Sequence, residues 1–151
     1  MARFRHESLI EAWRRKNMEK EISVSFPGGL KVDAEYKGFV IKTDQPTYQG
    51  GAGSAPSPFD LFLASIATCA GYYVLAFCQS RGISAEKLEV SMRTEKNPET
   101  KRVEKISIEI KLPPGFPEKY KDAVIKAVDS CAVKTHMMSP PSFEVKTRSG
   151  E

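Results

Sequence analysis

From Leu61 to Cys78 the chain reads LFLASIATCAGYYVLAFC, eighteen residues without one charged side chain. Ser57 in front of the run is a good N-cap, and Pro58 suits a first helical turn. Asp60 favours the positive end of a helix, and Gly82 supplies a stop. The spacing predicts a helix from residue 58 to 79 or 80, roughly 33 Å long. It is apolar on nearly every face, so it needs cover all round. A run of this length stands at the threshold for crossing a bilayer. However, Ser65, Thr68, Gly71, Tyr72 and Tyr73 interrupt it, and its flanks are amphipathic strands that need a core. The expectation is a central helix wrapped by sheet from two subunits, and no membrane partner.

Period-two alternation defines those strands. Ile22, Val24 and Phe26 alternate with polar neighbours, Pro27-Gly28-Gly29 turns the chain, and Leu30, Val32 and Ala34 alternate in return. Lys37-Gly38 makes a second turn before Phe39 and Ile41. After the long helix, Leu88, Val90, Met92 and Thr94 form one half-buried strand, and Ile106, Ile108, Ile110 and Leu112 form another. Pro117 opens a helix whose stripe, Tyr120, Val124, Ala127, Val128 and Cys131, puts Cys131 on the core face. Pro140-Pro141 breaks the chain, and Phe143 and Val145 mark a last strand. Residues 7 to 19 read as a cationic helical arm, with Leu9, Ile10 and Trp13 on one side. The order is α-βββ-α-ββ-α-β, an α+β chain with an arm over 1–19 and one domain over 20–151.

Net charge is +4, with acidic and basic residues interspersed. Basic residues cluster only in the arm, at Arg3, Arg5, Arg14 and Arg15, so no nucleic-acid partner is expected. The loop DQPTYQGGAGSAPSP, residues 44–58, is Gly-rich but lacks a following GK[ST] and reads as a connection over the active region, not a phosphate cradle. The N-terminal segment is charged throughout, without an apolar signal core. A chain of 151 residues can bury a core without staples. Its three cysteines form no CxxC pair, and a reducing, cytoplasmic setting is expected.

Cysteines therefore carry the chemical question. Cys69 and Cys78 lie half a turn out of phase and about 13.5 Å apart along one helix, so only one of them can face Cys131. Cys69 is the better candidate. Its helical neighbours Ser65, Ile66, Tyr72 and Tyr73 make a half-polar, half-aromatic wall, whereas Cys78 sits among Val74, Leu75 and Arg81. A buried cysteine is often only a small hydrophobe, and a mid-helix thiol gains little from its own helix dipole. Activation needs a nearby cation or hydrogen-bond donor. Cys69, Cys131 and His136 lack metal-ligand spacing, so no metal is expected.

SPFDLFLASIATC, followed much later by DSCAVKTHM and a short strand, resembles the OsmC/Ohr family of osmotically inducible and organic hydroperoxide resistance proteins, over roughly residues 20 to 147. The resemblance implies an OsmC-like α+β fold, with antiparallel sheets around a long buried central helix in an intertwined homodimer. It implies that Cys69 attacks a hydroperoxide and becomes a sulfenic acid, and that Cys131 condenses with it to a disulfide. A cellular dithiol would reduce the pair by exchange, with no cofactor. The chain departs from the family at one point. Studied members supply an arginine from the N-terminal sheet and a glutamate directly after the helix-starting proline. Here Phe59 follows Pro58, Asp60 is one place later, and no arginine occurs between Arg15 and Arg81. Lys37, Lys42 or His136 could supply a cation, though a lysine lacks the planar fork of arginine. The missing arginine also motivates another reading, a binding protein that holds a small apolar or thiol ligand in an interface pocket lined by Phe62, Tyr72 and Tyr73, without turnover.

Overall fold

A computed structural model describes residues 21–149. The arm expected over 1–19 lies outside them. The chain forms two compact units, one ending at Asp60 and the other beginning at Leu61.

The first unit is the expected meander. β1 (Ser23–Gly28), β2 (Lys31–Tyr36) and β3 (Phe39–Thr43) form one antiparallel sheet in that order. Gly28 and Gly29 take positive φ in the first turn, which residues with a Cβ rarely do. Val24 pairs with Ala34, and Asp33 pairs with Lys42. After β3 the chain folds around one buried carboxylate. Asp44 is 1% exposed. It accepts hydrogen bonds from Gln45 N–H at 2.8 Å, Ser54 N–H at 3.0 Å and Ser54 Oγ at 2.7 Å. The loop is also closed by glycine, because a Cβ at Gly51 would stand 1.8 Å from the Gln45 carbonyl oxygen.

α1 (Pro58–Gln79) has the predicted limits. Ser57 and Asp60 close its start reciprocally. Asp60 N–H donates to Ser57 Oγ at 3.2 Å, while the Asp60 carboxylate accepts from Ser57 N–H at 2.9 Å and Ser57 Oγ at 2.7 Å. This is a capping box with aspartate in the role of glutamate.

The second unit packs one face of α1 against the antiparallel pair β4 (Glu89–Lys96) and β5 (Val103–Lys111) and against α2 (Lys121–Val128). Ala70, Val74, Phe77 and Cys78 from α1 meet Val124 and Val128 from α2, with Val90, Ile108 and Ile110 of the sheet packed around them. The alternation in β4 and β5 puts these side chains inward and Glu89, Glu109 and Lys111 outward. The opposite face of α1 is open in the protomer: Tyr72 is 64% exposed and Leu75 38%. By length and composition α1 could cross a bilayer, with a mean hydropathy of 1.9, but a core helix of a soluble domain reads the same way.

Two expectations change. The helix over the Tyr120–Cys131 stripe ends at Val128, and a separate α3 (Ala132–Met138) follows. Asp129 and Ser130, whose side chains compete for backbone hydrogen bonds, stand at the break. Phe143 and Val145 form no strand in the protomer and are 89% and 91% exposed. A strand needs a sheet edge as well as a sequence pattern, and none is paired with them here.

The N–H donors hold the Asp44 carboxyl below its ordinary range, Ser54 N–H foremost, against a smaller opposing effect of burial. The fold therefore favours the ionised form. Its contribution is complete above the unfolded value of about 4 and is lost as pH falls through the lower folded value. Asp44→Asn is expected to lower stability at neutral pH, with the gap to wild type shrinking on acidification. Urea unfolding across that pH range checks this, and a gap independent of pH would contradict it.

Candidate active site

α1 presents Cys69 one residue before the buried Ala70, and the α2–α3 turn brings Cys131 to it. Cys69 is half-buried, while Cys131 is 1% exposed. The turn is held by backbone bonds from Ser130 N–H to Ala127 O at 3.2 Å and from Cys131 N–H to Val128 O at 3.0 Å. Cys131 is then the N-cap of α3, and its Sγ accepts Lys134 N–H at 3.4 Å. The first N–H groups of any helix lack partners within it. Here those groups serve sulfur. Lys134 N–H donates to Cys131, and the Val133 and Ala132 N–H groups act on Cys69 in the direction that favours its charged form.

These contacts divide the two thiols. Burial pushes the Cys69 thiol up, but the Cys131 S–H and the Val133 and Ala132 N–H groups outweigh it and hold Cys69 below the ordinary thiol range. Burial pushes Cys131 up, and so does its hydrogen bond to Cys69, with Lys134 and Val133 N–H acting in the opposite direction. The two thiols therefore shift in opposite directions, and Cys69 gives up its proton more readily than Cys131. Cys78 faces the core, fully buried, and burial pushes its thiol up against a smaller effect of Arg81.

The other candidates stand as follows. Asp60 closes the start of α1, nine residues before Cys69 and so about 13.5 Å along the axis. Lys37 sits in the β2–β3 turn with Nζ 4.8 Å from the centre of the Tyr36 ring. Lys42 lies on β3 opposite Asp33. Both lysines belong to the first unit. His136 is exposed on α3, and its Nδ1 donates to Ala132 O at 2.7 Å, within its own helix. Phe62 shares the Cys69 face of α1, seven residues earlier, and is 39% exposed. Tyr72 and Tyr73 meet edge to face at 5.3 Å. Sequence reasoning allowed for a cation or a hydrogen-bond donor but named only cations. The signal was present in DSCAVK, a helix break followed by a small residue at the new helix start.

A cavity of about 530 Å³ reaches Cys131. Ile66 and Ala70 of α1, Ile106 and Ile108 of β5, and Met137 of α3 line it among other apolar groups, with Lys121 and Lys134 as cations. Lys134 Nζ pairs with Asp129 across the turn that carries Cys131.

The chain belongs to the OsmC-like protein family, whose model matches residues 51–146. No curated protein matches it. Among solved structures it is similar to a putative osmotic stress induced and detoxification response protein from Psychrobacter arcticus, at 22% identity and a TM-score of 0.64, over 76% of this chain and 85% of that one. An OsmC-like protein from Mycoplasma pneumoniae aligns at 15% identity and a TM-score of 0.63, over 82% and 90% of the two chains. An organic hydroperoxide resistance protein OsmC from Legionella pneumophila aligns at 18% identity and a TM-score of 0.52, over 79% and 88%. At these identities the likeness is one of fold, and it includes the order of helices and strands.

Iodoacetamide at neutral pH is expected to modify Cys69 about tenfold or more faster than Cys78 or Cys131, since the thiolate is the nucleophile. Peptide mapping by mass spectrometry over a time course checks this. Equal rates, or Cys131 reacting first, would contradict the assignment.

Proposed function

We propose that the protein is a thiol peroxidase that reduces organic hydroperoxides or hydrogen peroxide at Cys69. The observation that carries this reading is the paired cysteines, with Cys69 drawn toward thiolate by Cys131 and by two backbone N–H groups. The Cys69 thiolate attacks the nearer peroxide oxygen, and the O–O bond breaks. Cys69 becomes a sulfenic acid, and the departing alkoxide takes a proton to leave as an alcohol, or as water from hydrogen peroxide. The Cys131 sulfur then attacks the sulfenic sulfur, and the Cys131 proton leaves with the hydroxyl as water. A dithiol of a reducing, cytoplasmic compartment returns the pair to thiols by exchange. No step calls for a cofactor.

The functional unit in this reading is a homodimer. The stripe Ala64, Thr68, Tyr72 and Leu75 along α1 is exposed and carries no charge, as a surface awaiting a second copy would. Phe62, Tyr72 and Tyr73 would then line the approach to Cys69 at the interface. The cation role assigned to Lys37, Lys42 or His136 is not required, since backbone donors serve the sulfur.

The cavity beside Cys131 favours a second reading, a small-ligand or thiol-binding protein without turnover, because its apolar lining suits a small apolar ligand. Turnover separates the two. Stopped-flow mixing with cumene hydroperoxide and with hydrogen peroxide, with excess dithiol, is expected to show rapid consumption. Cys69→Ser should abolish it, and Cys131→Ser should accumulate a sulfenic acid that dimedone traps. Equal, negligible consumption by wild type and Cys69→Ser would sink the peroxidase reading and leave the binding one.

A further inference from the structure

α3 is a weak helix by every local measure. It has seven residues, no buried side chain and no acidic residue in its first turn. Helices this short are marginal in water unless packing or capping holds them. The hydrogen bonds from the Thr135 side chain and His136 Nδ1 to Ala132 O lie within the helix and do not anchor it. The Lys134–Asp129 pair is about half exposed, and such pairs contribute little. Lys134 also places a cation at the helix end that favours anions. What remains at the start of α3 is sulfur: Cys131 Sγ as the cap, and Cys69 as acceptor for Ala132 and Val133 N–H.

Those acceptors are the two atoms that join on oxidation. A thiolate accepts charge-assisted hydrogen bonds, roughly twice as strong as neutral ones. A disulfide sulfur is neutral and a weak acceptor. Joining the sulfurs at about 2.05 Å also draws Cys131 Sγ toward Cys69 and away from Lys134 N–H. The first turn of α3 thus loses its cap, and Cys69 loses the capacity to carry negative charge there, in a single chemical step.

We propose that α3 is a redox-gated element: it is capped while the two cysteines are reduced and loosens when they form a disulfide, which opens the Cys131 side of the site to an incoming dithiol. The step is a two-electron oxidation in which Cys69 and Cys131 together lose two hydrogens. A hydroperoxide takes them and leaves as alcohol and water, as in the reading above on which the proposal rests. Diamide, an azo oxidant, makes the same disulfide and takes the hydrogens as a hydrazine. Met137 and Met138, which line the cavity, move with the helix.

Hydrogen exchange by mass spectrometry on the full chain tests this, with reduced protein compared with protein oxidised by cumene hydroperoxide or by diamide. Loss of two hydrogens from the linked Cys69 and Cys131 peptides verifies the bond. Amides in residues 132–138 are expected to exchange about tenfold or more faster once the disulfide forms, while those of β4 and β5 stay as they were. In Cys131→Ser, which keeps an oxygen at the cap and cannot form the bond, either oxidant can alter Cys69 alone and should loosen α3 far less than the disulfide does. A verified disulfide with unchanged exchange in α3 overturns the proposal, as does equal loosening in Cys131→Ser. A disulfide made by diamide and not by hydroperoxide would refute the peroxidase reading, and the exchange result would still decide for or against the gate. Absence of the disulfide with both oxidants overturns the gate itself.

Discussion

The site depends on the α2–α3 turn, whose Cys131 side chain and first N–H groups offset the effect of burial on the Cys69 thiol. A thiol in the middle of a helix has no help from its own backbone, whose N–H groups are all engaged within the helix. The turn supplies what the helix cannot: the Cys131 S–H and two free N–H groups at the start of α3. Because Asp129 and Ser130 end α2 early, a helix start, and not a continuing helix face, meets Cys69. Had α2 run on through Cys131, its N–H groups would be spent on its own carbonyls and could not favour the charged form of Cys69. The two cysteines shift in opposite directions, and the hydrogen bond between them contributes to both shifts.

A second constraint acts on α1. One face packs in the protomer core through Ala70, Val74, Phe77 and Cys78, and the other carries uncharged residues into solvent. A hydrophobic helix left half open is costly in water, and cover on that face would remove the cost. The extended residues Phe143 and Val145 present the same problem at the C-terminal end.

Much of this architecture was legible in the sequence. The chargeless run and its Ser57-Pro58 start gave α1 to the residue, because caps and composition act locally. The period-two alternation gave β1 to β5, because one face of each pair contrasts with the other. That Cys69, and not Cys78, stands beside Cys131 was expected from helical phase. What escaped was set by relations between segments. The apolar stripe through Cys131 concealed a helix break that Asp129 and Ser130 announced. The family's missing arginine drew attention to lysines and His136, and away from backbone donors that carry no side-chain signature. Phe143 and Val145 have a strand pattern, but pairing depends on an edge that the segment does not itself contain.

The most direct test is a titration of the Cys69 thiolate by its absorbance near 240 nm, with Cys69→Ser as the blank, in wild type and in Cys131→Ala. Hydrogen bonding from the turn predicts a wild-type value below the ordinary thiol value of about 8.5. It should rise toward that value when the Cys131 donor is removed. A wild-type value at or above the ordinary one, or a lowered value that Cys131→Ala leaves in place, would contradict the claim that the turn activates Cys69.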